Sequence, residues 1–316
     1  AVAVGQDDVS VYRRGFGTWQ SNPDQVVPIA SATKWISAAV VMSQVEAGHL
    51  TLDTEFGDVI PSMAANPDLT DLTVRQGFSH TTGMRGLING THPTYGSIDY
   101  VREPRISLAE SVDFIATQPL NRLATPSGTV FWYGGASMQT VGRLVELAAN
   151  RSFADVFQTE IADPLGMTHT GYDAFGPTTN PHIGGGLTSN LADCEKFVRM
   201  LLGNGQFEGQ QVLEPASITA MEADQTRGAT IRYSAYDFTS STDTVIGSSR
   251  YGIGVWRIRT DLDPDVQFVS QGAYGFAFLV NRGLDYGLVF AMQGDYQVAL
   301  PGFIEVIHEV RLAMTP

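Results

Sequence analysis

Ser31 and Lys34 stand three residues apart in Ile29-Ala-Ser-Ala-Thr-Lys-Trp-Ile-Ser-Ala, a stretch with the rhythm of a buried helix. At that spacing both side chains lie on one helix face. A serine hydroxyl is a weak nucleophile until a neighbouring base takes its proton. A lysine can be that base, or assist another, when burial and nearby charge depress its pKa. A helix start adds unpaired backbone N–H groups and the positive end of the helix dipole, which favour a developing oxyanion. Of the 19 Lys and Arg residues only Lys34 and Lys196 are lysines, so a lysine at this spacing calls for a reason. Serine is also a common N-cap, so the spacing alone is equally met by an ordinary helix.

The elements that would position the pair can be read from the same pattern. The 316 residues are enough for one large domain or two interleaved ones, and 43% hydrophobic against 16% charged residues is a globular composition. A net charge of −14 opposes binding to phosphate backbones, so no nucleic-acid partner is expected. No apolar run reaches the roughly 20 residues of a membrane span. The missing initial Met fits a processed or trimmed chain, and both secreted or periplasmic and cytoplasmic locations stay open. Apolar residues 1–4, a turn at Gln6-Asp7-Asp8 and an alternating 9–13 predict a hairpin. Helices are predicted over 31–47, ending at Gly48, and over 108–118, 137–150, 191–202 and 300–314. Strands are predicted over 251–259, 266–270, 273–280 and 286–293. This predicts an α/β (α+β) chain with an antiparallel sheet domain from 1–55 and 182–316. A mostly helical region, 56–181, is inserted into it. Cys194 is the single cysteine, within a helical pattern, and reads as a packing residue.

Four further segments extend the signal. They are Leu72-Thr-Val-Arg-Gln-Gly-Phe-Ser-His-Thr-Thr-Gly, Pro126-Ser-Gly-Thr-Val-Phe-Trp-Tyr-Gly-Gly, Pro164-Leu-Gly-Met-Thr-His-Thr and Gly184-Gly-Gly-Leu-Thr-Ser-Asn-Leu-Ala-Asp. With Ser31-Ala-Thr-Lys34 they resemble, in order and over nearly the whole chain, the serine β-lactamases and penicillin-binding proteins. The resemblance is greatest to the class C β-lactamase and family VIII esterase branch. It implies the serine β-lactamase-like fold, Ser31 as nucleophile, and Lys34 with Tyr133 as the proton-transferring pair. The phenol of Tyr133, with a reference pKa near 10, would be favoured as phenolate beside a protonated lysine. His80 falls in a segment that the resemblance makes structural.

The same resemblance locates a third element at Ser270-Gln271-Gly272, followed by Ala273. It implies that the N–H groups of Ser31 and Ala273 form an oxyanion hole, and that Gly135, Ser270, Gln271 and Gly272 border the substrate. Gly135 stands where the family has an asparagine, and Ser270 where it usually has a cation. The expected substrate is therefore a small uncharged ester cleaved through a Ser31 acyl-enzyme, with a loop arginine such as Arg250 as a possible replacement cation. The alternative is a β-lactamase or D-alanyl-D-alanine carboxypeptidase, and the third reading a non-catalytic binding protein of the same fold. The scattered histidines have no ligand spacing, so neither metal nor other cofactor is expected. The absence of Gly-x-Ser-x-Gly argues against an α/β-hydrolase.

Overall fold

A computed structural model of the protein describes residues 1–6, 9–120, 126–233, 250–260 and 263–315. Val2–Gln6 (β1) and Val9–Arg14 (β2) pair antiparallel as the alternating pattern predicts, while Asp7 and Asp8 of the expected turn lie outside the described residues. Five strands from the end of the chain complete a seven-stranded antiparallel sheet. They are Arg250–Tyr251 (β3), Trp256–Thr260 (β4), Asp263–Gln271 (β5), Ala277–Asn281 (β6) and Tyr286–Phe290 (β7). The order is β3-β4-β5-β6-β7-β1-β2. Side chains alternate between faces with period two. Ala3, Phe278, Val280 and Val289 enter one buried cluster, and Val2, Val4, Leu279 and Leu288 enter another on the opposite face.

The first cluster is continuous with the helices. Thr33–Glu46 (α1) is buried almost all round, which explains why it shows no polar face. It is preceded by one 3₁₀ turn, Ala30–Ala32, so Ser31 sits in that turn rather than in the α-helix proper. Leu108–Ala116 (α2) starts with a capping box, in which the Ser107 side chain accepts from the Glu110 N–H and the Glu110 carboxylate accepts from the Ser107 N–H. Ala136–Ala149 (α3) ends at Asn150 in the left-handed region. Leu191–Leu202 (α4) packs on β1 and β7, with the predicted bounds. Tyr296–Met314 (α5) covers the opposite face against β7. It begins four residues before the predicted start because Asp295 caps it, its side chain accepting the Gln297 N–H at 2.7 Å.

Two predicted strands are cut by turns. Residues 252–255 form the tight link between β3 and β4, closed by Gly252 N–H to Val255 carbonyl at 2.8 Å, with Gly254 at φ +77°. Residues 272–275 form a second turn, closed by Gly275 N–H to Gly272 carbonyl at 3.0 Å, so Ala273 lies on a turn and β6 begins only at Ala277.

The Gly254 turn rests directly on α1. A Cβ there would lie 2.4 Å from the Lys34 carbonyl oxygen and 2.8 Å from the Ala38 Cβ. Gly254→Ala should therefore combine left-handed strain with overpacking, a loss of roughly 2–5 kcal/mol. Gly48→Ala, at φ +73° with nothing within 4 Å, should lose only the strain, about 1–2 kcal/mol. Denaturant midpoints of the two variants check this, and equal losses would show that the turn is not pressed on α1.

Candidate active site

Lys34 is the centre of the site. Its side chain is buried, and Nζ donates to Ser31 Oγ at 3.0 Å and to the Gly184 carbonyl at 2.5 Å. The ammonium also lies 4.6 Å from the centroid of the Tyr133 ring. Burial, and secondarily the positive charge of Arg102, lower its pKa to about 7. The amine and ammonium forms are thus comparably populated near neutral pH.

Local sequence explains how these groups meet. Ser31 is presented by the 3₁₀ turn, and the preceding Ala30 has φ +47°, a conformation that costs a non-glycine residue about 1–2 kcal/mol. Tyr133 follows the short strand Val130–Trp132, which pairs in parallel with Thr230–Tyr233. Its ring is held among His80, Tyr251 and Trp256, the centroids 4.5, 6.3 and 5.8 Å away. His80 is buried. Its Nδ1 accepts the Gly134 N–H at 3.3 Å, its carbonyl accepts the Trp132 N–H, and burial keeps its pKa well below the usual histidine value. Gly184-Gly-Gly folds tightly around His182. The N–H groups of Gly185 and Gly186 both donate to the His182 carbonyl, and this turn delivers the Gly184 carbonyl to Lys34.

These residues open onto a cavity of about 390 Å³, lined by Ser31, Lys34, Tyr133, Gly135 and Ala273 among the residues singled out from sequence. The Ala273 carbonyl accepts the Tyr296 N–H at 3.0 Å, fixing its turn against the start of α5. Ser270, Gln271 and Gly272 are placed differently from the expectation of a substrate border, and none lines the cavity. Ser270 Oγ is turned toward the carbonyls of Ser31 and Ala32, at 3.5 and 3.4 Å, and so supports the turn that carries Ser31. A Cβ on Gly272 would lie 2.0 Å from the Ile29 carbonyl oxygen, so close backbone contact with the segment leading to Ser31 requires a glycine here.

Several lining residues were not legible from motifs. Arg102 and His182 line the cavity, as do Asp295 and Gln297 at the start of α5. A Cβ on Gly135 would lie 3.2 Å from His182 Nε2 and 3.2 Å from Val101 Cγ1, so His182 occupies the space a side chain at 135 would need. Burial, then the charges of Lys34 and Arg102, hold His182 well below the usual histidine pKa, in its neutral form. Arg250, the expected replacement cation, is paired with Asp224 at 3.8 Å and does not line the cavity; Arg102 does. The one available signal was the position of His182 two residues before the glycine run. Arg102 sits in Tyr100-Val-Arg-Glu-Pro-Arg, which matches no motif.

Among the described residues no cluster of His, Cys, Asp or Glu could hold a metal ion, and no helix is long and apolar enough to cross a membrane.

Residues 1–302 match the beta-lactamase family. Penicillin-binding protein 4 of Amycolatopsis lactamdurans is 29% identical over 242 residues, which are 67% of this chain and 60% of that protein. Esterase EstB of Burkholderia gladioli is 29% identical over 158 residues, 47% of this chain and 39% of its own. The chain thus spans about three fifths of the length of the former and less of the latter. A solved structure from Bacteroides dorei DSM 17855, of a candidate beta-lactamase, superimposes with a TM-score of 0.78 at 28% identity, covering 93% of this chain and 85% of its own. Taken with the helix-flanked antiparallel sheet and the Ser31–Lys34 contact beside it, a match along nearly the whole chain means that this protein belongs to the beta-lactamase family.

Proposed function

We propose that the protein is a serine hydrolase that cleaves carboxylic esters through a Ser31 acyl-enzyme. The observation that carries this reading is the 3.0 Å contact between Ser31 Oγ and a buried Lys34 amine whose pKa is lowered to about 7. Neutral Lys34 accepts the hydroxyl proton as Ser31 Oγ attacks the ester carbonyl carbon. The oxygen anion of the tetrahedral intermediate is received by the backbone N–H groups of Ser31 and Ala273. The intermediate collapses, the bond to the leaving alkoxide breaks, and the proton passes from Lys34, through or beside Tyr133, to that oxygen. Water then attacks the acyl-serine, giving its proton to the same pair and releasing the acid.

Esters have better leaving groups than amides and require less assistance, and EstB is an esterase relative. The second reading, β-lactam or D-alanyl peptide cleavage, is supported by the match to penicillin-binding protein 4 and by the Arg102 cation in the cavity, since those substrates carry a carboxylate. Measuring kcat/KM for 4-nitrophenyl hexanoate and a chromogenic cephalosporin on one preparation separates the two. The ester value is expected to be the larger, and the reverse order would establish the second reading.

Lys34→Ala and Tyr133→Phe should each lower kcat about 100-fold or more, and the double variant little further, because the two act as one relay. Near-full activity of Tyr133→Phe would remove Tyr133 from the mechanism. For the wild type, kcat/KM should rise with pH through an apparent pKa close to 7, as Lys34 loses its proton. A limb centred below about pH 5.5 would point to a carboxylate base instead.

The same depressed pKa has a consequence for stability. Between about 7 and its ordinary value of 10.5, Lys34 binds fewer protons folded than unfolded, so its contribution to stability improves as pH rises across that window. Below pH 7 both states are protonated and burial of the ammonium is fully unfavourable. Lys34→Met should therefore stabilise the fold, by roughly 1–4 kcal/mol at pH 6, with a smaller gain at pH 10. Urea midpoints at the two pH values test the sign, and a loss at both would mean that the amine holds the site together.

A further inference from the structure

Arg102 brings a second cation, beside Lys34, to the cavity. Its side chain is half exposed, and its one ion pair among the described residues is a 3.8 Å contact from Nε to Asp99 Oδ2. Asp99 is partly engaged elsewhere, since its Oδ1 accepts the Val101 N–H at 3.1 Å. The fork of the guanidinium, the part suited to bidentate binding of a carboxylate, makes no hydrogen bond within the described protein.

The turn that carries Arg102 is built to hold it still. Buried Asn180 donates through Nδ2 to the carbonyls of Tyr100 and Glu103, both at 3.0 Å, and so brackets Arg102 on either side. Gln139 of α3 holds Asn180 in turn, its Nε2 donating to Asn180 Oδ1 at 2.7 Å. Ser111 of α2 donates to the Tyr100 carbonyl at 2.8 Å. Arg102 shares the cavity lining with Gly135 and His182. Arg102 and Ser31 line the same cavity, and the charge of Arg102 acts on both Lys34 and His182. Asp295, the one carboxylate among the described residues that line the cavity, caps α5.

We propose that Arg102 is a substrate anchor, and that the preferred substrates are esters whose acyl or leaving part carries a carboxylate. This rests on the ester-hydrolase reading above and replaces the expectation of uncharged esters.

The test uses two pairs of substrates. 4-Nitrophenyl hydrogen adipate against 4-nitrophenyl hexanoate places the charge in the acyl part, and 4-carboxyphenyl against 4-carbamoylphenyl hexanoate places it in the leaving part. In at least one pair the wild type should favour the anion, and Arg102→Gln should lower that preference about 10- to 100-fold, the range expected for a lost charge-assisted contact. Arg102→Lys should retain part of it, and Arg102→Glu should invert it toward 4-nitrophenyl 6-(trimethylammonio)hexanoate. Ratios that change by less than about 3-fold in both pairs would overturn the proposal. Binding of monomethyl adipate to Ser31→Ala by calorimetry gives a readout independent of turnover. Binding about 10-fold or more weaker after Arg102→Gln supports the anchor even if no ester is hydrolysed, an outcome that would sink only the hydrolase reading. Equal binding overturns the anchor.

Discussion

A lysine amine taken out of water has to be satisfied by what surrounds it, and the architecture of this protein is organised around that requirement at Lys34. Burial disfavours the ammonium, and the second nearby cation, Arg102, disfavours it further. What compensates is a hydroxyl, a carbonyl and an aromatic face: Ser31, Gly184 and Tyr133. These come from three separate parts of the chain, and each is held by its own local device. The 3₁₀ turn presents Ser31, the glycine run folded on His182 presents Gly184, and a nest of aromatic rings fixes Tyr133. The chemical usefulness of the amine and its thermodynamic burden have the same physical origin, the removal of water.

The wall opposite the sheet is governed by buried amides. Gln139 Oε1 accepts the Ile183 N–H at 3.1 Å, while its Nε2 donates to Asn180 and to the Pro181 carbonyl. One side chain of α3 therefore ties together the loop bearing His182 and, through Asn180, the turn bearing Arg102. Neutral hydrogen bonds of this kind contribute about 1 kcal/mol each when made, and a buried group left without its partner costs about 1–3 kcal/mol. The position of the cavity wall is thereby set from inside the helical region.

Much of this was legible in the sequence, for identifiable reasons. Helical periodicity and capping residues located α1, α2, α3 and α4 closely, because those signals are local. The Ser31–Lys34 contact followed from helix spacing. The strands around Gly254 and Ala273 were drawn too long because Gly-rich turns inside apolar runs differ little in composition from strands. Ser270 was read as facing substrate, whereas it faces the Ser31 backbone; strand register, not residue type, decides that direction. Arg102 and His182 escaped notice because loop residues reach the cavity through tertiary bonds made by Asn180 and Gln139, which leave no periodic trace.

The position of β1 in the sheet bears on how the chain acquires its shape. Val2 pairs with Phe290 and Gly5 with Gly287, so β1, whose neighbour on one side is the adjacent β2, finds its neighbour on the other side only after more than 280 intervening residues. Contacts between such remote segments are slow to form because closing a long loop lowers chain entropy before any contact compensates it. Until then the edge of β1 that faces away from β2 has no strand to pair with. A ribosome-bound chain is thus left with an unpaired strand edge during translation, the kind of surface that invites association between unfinished chains. The turn bearing Ala273 belongs to the same late segment, so Ser31 is made long before the backbone that lines the cavity with it.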